Sequence, residues 1–238
     1  MRPMERLIVA TIAIGLVVDA RGGPWGQLAV SVAAWALLAR LWLVSHPSQR
    51  PALLACLVYA TAGEVFLSLA WGLYDYRLGN IPLFVPPGHV LLFTLGVRLA
   101  ARLKDGAEWW IAAAALPVVA ALALSGRDTL GPFLYALFLA CMALSASRKL
   151  YATMLVLSLA MELWGTWLGN WTWRHEVPWT DLVTANPPLA AGAFYAALDL
   201  LVVSTVAAWR RQSPASPILT PSTASHQAAT CSARSSSR

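Results

Sequence analysis

Charge is scarce in this 238-residue chain: only 12% of its residues are Asp, Glu, Lys or Arg. A water-soluble domain uses about 25% to cover its surface. Cysteine is equally sparse. Cys56 and Cys141 lie inside apolar runs and Cys231 lies near the C-terminus, with no Cys-x-x-Cys or metal-type spacing. A disulfide framework or zinc-ribbon domain is therefore excluded. The P-loop, the Gly-x-Ser-x-Gly elbow, the His-Glu-x-x-His helix and the Gly-x-Gly-x-x-Gly turn are all missing, which removes the common nucleotide, serine-hydrolase and zincin classes. No Asp-Asp-x-x-Asp cluster is present to hold a diphosphate through magnesium, which argues against a prenyl-diphosphate transferase. The net charge of +6 is not gathered with aromatics on a basic stretch, so no nucleic-acid partner is expected.

What the chain has instead is hydrocarbon. Residues of the hydrophobic class make up 58%, and twelve are Trp. Eight apolar runs fall at 6–20, 27–45, 51–73, 82–101, 108–125, 130–147, 150–168 and 187–209. Most approach the roughly 18 to 20 residues that cross about 30 Å of hydrocarbon. The expected fold is an all-α integral membrane protein of about eight transmembrane helices. Run one is short, but Asp19–Pro24 after it reads as a turn, not as a cleavage site. Run four opens with Pro82, Pro86 and Pro87, which predicts a re-entrant or non-helical start lining a cavity. Residues 1–211 form the membrane domain. Residues 212–238, rich in Ser, Thr, Pro and Ala, read as a disordered cytoplasmic tail.

Of the 17 Lys and Arg, thirteen fall on the side of the N-terminus and four on the other. Cations collect in cytoplasmic loops, so both termini are expected in the cytoplasm, with the chain in a bacterial inner (plasma) membrane.

The domain also reads as a duplication, about 6–104 and 105–211. The first copy runs Glu64, Gly72-Leu73-Tyr74-Asp75-Tyr76-Arg77, Ile81-Pro82 and Pro86-Pro87-Gly88-His89. The second runs Glu162, Gly169-Asn170-Trp171-Thr172-Trp173-Arg174, Val177-Pro178 and Asn186-Pro187-Pro188. The copies are offset by 98 at the acids and 97 at the aromatics and arginines. Four runs per copy give both halves one orientation, a parallel repeat about an axis along the membrane normal, with proline-rich re-entrant segments on the outer side.

Glu64, Glu162 and Asp199 all fall near the middle of their runs. Acids at that depth are costly and usually functional. A desolvated carboxyl favours its neutral form, so the two glutamates suit an acid/base pair, or else hydrogen bonds that fix helix packing. Asp199 reads as a third catalytic carboxylate, a counter-ion for Arg174 or His89, or a structural acceptor. His89 is presented at a helix start. It is a hydrogen-bonding helix-end residue or, with the glutamates, a metal ligand, although no paired-ligand spacing supports a metal and no cofactor is expected. Tyr74/Tyr76 and Trp171/Trp173 fit an interfacial aromatic belt. Their spacing of two puts both rings of a pair on one face of an extended segment, where π faces would stabilise cations. Arg77 and Arg174 would grip a phosphate or carboxylate, or neutralise the neighbouring Asp75 and Glu176.

Glu64, Gly72-x-Tyr74-x-Tyr76 and Ile81-Pro82, followed by Gly169-x-Trp171-x-Trp173, Val177-Pro178 and Asn186, resemble the carotenoid-biosynthesis membrane family that includes bisanhydrobacterioruberin hydratase, with heterodimeric lycopene cyclases more distant. The resemblance implies acid-catalysed hydration or cyclisation of a lipid-soluble polyene or isoprenoid. It implies Glu64, Glu162, Asp199 and His89 at the chemistry, and Tyr74, Tyr76, Arg77, Trp171, Trp173, Arg174 and Asn186 around the substrate. Two other readings of the same acids are a small proton- or cation-coupled transporter and a structural or assembly membrane protein.

Overall fold

The computed structural model describes residues 3–212, and the tail expected from 212 onward lies outside them except for Gln212. The described chain is mostly helical, with one short two-stranded ribbon and a long irregular connection over residues 174–191. Its order is α1 (Pro3–Val44), α2 (Arg50–Glu64), β1 (Tyr74–Tyr76), α3 (Val85–Ala100), α4 (Ala107–Leu124), α5 (Gly131–Leu144), α6 (Arg148–Leu168), β2 (Trp171–Trp173) and α7 (Gly192–Gln212). Four helical stretches are long and apolar enough to cross a membrane: Pro3–Val44, Pro47–Ala70, Ala107–Leu124 and Gly192–Arg211. α3 and α5 are apolar but shorter.

The turn expected at Asp19–Pro24 is reduced to a single residue. Gly23 (φ 56°, ψ −150°) leaves the helical region just before Pro24 and splits α1 into two arms. Glycine takes a positive φ without strain, and the residue before proline is pushed out of the helical region. The arms double back on each other. A Cβ at Gly15 would meet Val30 at 3.1 Å, and one at Gly26 would meet the Val18 carbonyl at 2.5 Å. In a straight helix residues 15 and 30 would be roughly 22 Å apart.

α2 continues directly into a π-helical stretch, Val65–Ala70. Run four opens non-helically only over residues 82–84, with Pro82; from Val85 onward α3 is a regular helix, with Pro86 and Pro87 in its first turn. Proline is tolerated there because first-turn N–H groups have no partner inside the helix. His89 therefore sits on a regular helix and not on an unwound one. α3 packs on α1, α2 and α6, while α4 and α5 pack on each other and on α6.

The molecule is apolar outside and acidic inside. Ile14, Val32, Leu54 and Leu124 are exposed, yet six of the eleven acids (Glu5, Asp19, Glu64, Asp128, Glu162 and Asp199) are buried. That arrangement suits a lipid solvent and is compatible with a membrane protein. Residues up to Val206 form one compact unit, which holds the site; Ala207–Gln212 carry the end of α7 with Arg210 and Arg211.

Candidate active site

Two matched glycines start the ribbon. Gly72 (φ 74°) and Gly169 (φ 76°) turn the chain out of its helix through the left-handed region, a conformation that L side chains pay for and glycine does not. Three extended residues follow each. β1 and β2 pair antiparallel in the register Tyr74↔Trp173, Asp75↔Thr172, Tyr76↔Trp171. Beyond them Arg77 N donates to Asn170 O and Arg174 N donates to Leu73 O, both at 2.9 Å. Alternation sends Tyr74, Tyr76, Trp171 and Trp173 to the buried face, and Asp75 and Thr172 outward. The four rings make a continuous roof, with Tyr74 and Trp173 centred 4.8 Å apart and Tyr76 and Trp171 6.2 Å apart.

The polar tips of the roof converge on two acids. Tyr74 OH and Tyr76 OH donate to Glu64 Oε2 at 2.9 and 2.6 Å. Trp171 Nε1 and Trp173 Nε1 donate to Glu162 Oε2 at 2.7 and 3.0 Å. Each acid's second oxygen meets a different group. His89 Nε2 lies 2.9 Å from Glu64 Oε1, and Tyr195 OH donates to Glu162 Oε1 at 3.1 Å. The His89 and Tyr195 rings stack, 5.0 Å between centroids and 17° between planes. One chain of contacts therefore joins Glu64, His89, Tyr195 and Glu162.

These groups line a cavity of about 440 Å³, within the range of small-molecule sites. Most of its wall is apolar, drawn from both arms of α1 and from α2, α3 and α7. Of the residues expected at a site, Glu64, Glu162, His89 and the four ribbon aromatics meet here. The others do not. Arg77 turns away to the carbonyl and carboxylate of Asp19. Arg174 grips Asp75 through Nε and Nη2 at 2.8 and 2.9 Å, and not its neighbour Glu176. Beside Arg174 the Asp75 carboxyl is held below its usual range. Asn186 is exposed and accepts the Trp173 N–H at 3.1 Å, so it supports the ribbon and lies outside the cavity. Asp199 is buried outside the cavity lining, and among the described residues neither carboxyl oxygen has a hydrogen-bond partner.

Tyr195, one helical turn before Asp199, belongs to the site although no motif in the sequence marks it. Asn170 likewise stands at the variable position of its motif, where spacing does not reveal its role. Its side chain donates to the Leu16 carbonyl at 3.0 Å and to the Asp19 carboxylate, tying the ribbon to α1. Among the described residues no three His, Cys, Asp or Glu side chains come together as metal ligands.

The two acids differ in what surrounds them. Phenols, imidazole and carboxyl groups exchange protons, whereas an indole N–H only donates. Glu64 is set among exchangeable groups. Both lone pairs of Glu162 Oε2 are taken by indoles, leaving Oε1, toward Tyr195, as the place for any proton on that acid. Comparison of the chain with protein families, with curated proteins and with solved structures finds no match.

Proposed function

We propose that this protein is a membrane-embedded enzyme that protonates a terminal double bond of a carotenoid or other isoprenoid lipid, leading to hydration or ring closure. One observation carries the reading. Two buried carboxyl groups converge on an apolar, aromatic-walled cavity that, among the described residues, no Lys or Arg lines. Its one basic side chain among the described residues, His89, is already paired with Glu64, so the wall offers no free cation to a phosphate or carboxylate head. Aromatic faces and a fixed negative charge favour a developing carbocation. The motif resemblance to the carotenoid family points to the same chemistry.

The roles follow from the donors. The Glu64–His89 pair is the exchangeable acid and base. Glu162, held by two indoles, is the fixed group that faces the cation. The pair gives its proton to the less substituted carbon of the terminal double bond, the double bond supplies the electrons of the new C–H bond, and a tertiary cation is left on the more substituted carbon. Water then attacks through oxygen and returns one proton to the pair, for net addition of water. Where a second double bond of the chain attacks instead, a ring closes and the adjacent carbon returns the proton, for net isomerisation. General acid–base help of this kind contributes roughly 10²- to 10⁴-fold in rate.

The same proposal extends to the architecture: eight spans in two parallel four-helix repeats, termini in the cytoplasm, in a bacterial inner membrane. The ribbon register supports the repeat. An antiparallel pair has a local twofold, and here the partner of Asp75 is Thr172, its own equivalent 97 residues on. The two flanking bonds, Arg77 N to Asn170 O and Arg174 N to Leu73 O, exchange under that twofold. The change of offset has a physical cause as well. Ten residues separate Glu64 from Tyr74 and nine separate Glu162 from Trp171. The extra residue falls in the π-helical stretch Val65–Ala70, and a π-bulge absorbs one inserted residue.

The test is a lipid profile. Cells that make a linear polyene and express this chain should accumulate a hydroxylated or cyclic end group, which Glu64→Gln removes at equal protein level. Identical profiles for wild type, Glu64→Gln and Glu162→Gln would sink the enzyme reading. Proton-coupled uptake lost in Glu162→Gln would favour the transporter.

A further inference from the structure

Two glycines sit inside helices where no neighbour requires them. Gly63 on α2 and Gly88 on α3 immediately precede Glu64 and His89, the two members of the hydrogen-bonded pair. A Cβ built at either meets nothing within 4 Å, and both residues line the cavity. Other glycines near the site have a packing cause. A Cβ at Gly96 would lie 2.3 Å from Met154 Sδ, one at Gly165 would lie 2.0 Å from the Trp171 ring, and one at Gly192 would lie 2.6 Å from Ser158 Oγ. Neither Gly63 nor Gly88 takes a positive φ. Glycine is the poorest helix former after proline, so backbone and packing both disfavour it at 63 and 88. What it leaves is space.

That space reaches the surface on one flank. The exposed residues of the cavity wall are Ala62 and Phe66 beside Gly63, and Leu201 on α7. Two ties close the gap between these helices. Tyr59 OH and Thr205 Oγ1 lie 2.7 Å apart at one end, and Trp71 meets Phe194 edge-on, 6.5 Å between centroids, at the other. The ties are twelve residues apart on the Tyr59–Trp71 side, roughly 18 Å at helical rise. Flanking side chains are apolar and exposed, among them Val58, Leu69 and Leu201.

We propose that Gly63 and Gly88 hold open a lateral slot, between α2 and α7, that admits the uncharged end of a single linear unsaturated hydrocarbon from the bilayer to the Glu64–His89 pair. This rests on the function proposed above and names the substrate's shape and its route. The wall selects an uncharged end because among the described residues no Lys or Arg lines it, and its one imidazole, His89, is already held by Glu64. The roof of four ribbon rings covers the cavity at the Gly72 and Gly169 end, so the chain comes in sideways. At about 440 Å³ the cavity houses an end group, and the remainder of a long chain stays among lipids.

Diphenylhexatriene, an uncharged rod-like polyene, is the probe. Its saturable anisotropy signal is measured on the full chain in detergent, above that of empty micelles. Gly63→Leu should weaken binding at least tenfold while the thermal midpoint stays or rises, because the new side chain enters open space. Gly22→Leu, equally unobstructed but away from the cavity, should bind as wild type does. Dodecyl phosphate should not displace the probe. Wild-type binding by Gly63→Leu, a lowered midpoint in that variant, or displacement by dodecyl phosphate would each overturn the slot. The two proposals also fail separately. Slot-dependent probe binding without lipid product removes the chemistry alone, and undiminished product formation by Gly63→Leu removes the slot alone.

Discussion

Replacing Tyr76 with Phe deletes one oxygen and leaves the ring, so it isolates the bond on which the Glu64 network depends most. Tyr76 OH lies 2.6 Å from Glu64 Oε2, the shortest contact to that acid, and both residues are buried. A hydrogen bond to a charged group is worth about 1.5–3 kcal/mol. Tyr74 OH remains on the same oxygen at 2.9 Å and compensates in part, which places the expected loss at about 2 kcal/mol. The assay is reversible unfolding in mixed micelles by SDS titration, run as a double-mutant cycle with Glu64→Met. In the Glu64→Met background the Tyr76→Phe cost should fall below about 0.5 kcal/mol, because the phenol's partner is already gone and coupled changes do not add. Equal costs in both backgrounds would refute the network: the phenol would then be acting through packing alone.

Two further outcomes follow from the same structure. Gly165→Ala would put a Cβ 2.0–2.6 Å from the Trp171 ring and displace the indole that bonds Glu162. Overpacking of about 1–3 kcal/mol plus the weakened hydrogen bond exceeds the roughly 1 kcal/mol gained in helix propensity, so SDS titration should show a net loss; a gain would contradict the packing. Acid should weaken the Arg174–Asp75 pair. The Asp75 carboxyl is depressed in the folded chain by the guanidinium, so its contribution is present above the unfolded value near 3.9 and is lost as pH falls through the folded one. Both side chains are more than half exposed, which limits the effect to under about 1 kcal/mol. Arg174→Ala should accordingly show a shallower decline of thermal midpoint between about pH 5 and 3 than wild type.

The parts of the site that could be read from sequence are those with a steep energetic cost. Glu64 and Glu162 stood out because acids deep in apolar runs are expensive, and the ribbon aromatics stood out because a spacing of two shares a face. Gly72 and Gly169 were visible as part of the motif, and their left-handed turns explain why the motif begins with glycine. Other features depend on contacts between distant residues. Arg77 and Arg174 were each set beside an acid in sequence, but geometry sends Arg77 back to Asp19, 58 residues earlier, and Arg174 across the ribbon to Asp75. Tyr195 matters only because α7 brings it against both His89 and Glu162. The prolines of run four divide for a local reason: Pro82 lies before the helix, whereas Pro86 and Pro87 suit its first turn as well as a broken one. The spacing of ten residues from Glu64 to Tyr74 against nine from Glu162 to Trp171 was legible as a number, but the π-helical stretch Val65–Ala70 within the longer one was not.

The most direct measurement of the central claim is deuterium incorporation. Membranes holding the full chain and a linear polyene are incubated in D₂O, and the extracted lipid is analysed by mass spectrometry and NMR. Protonation of a terminal double bond predicts one non-exchangeable deuterium on carbon at each reacted end in the wild type, and no such product in Glu64→Gln. A product without carbon-bound deuterium, or one formed equally by Glu64→Gln, would contradict it.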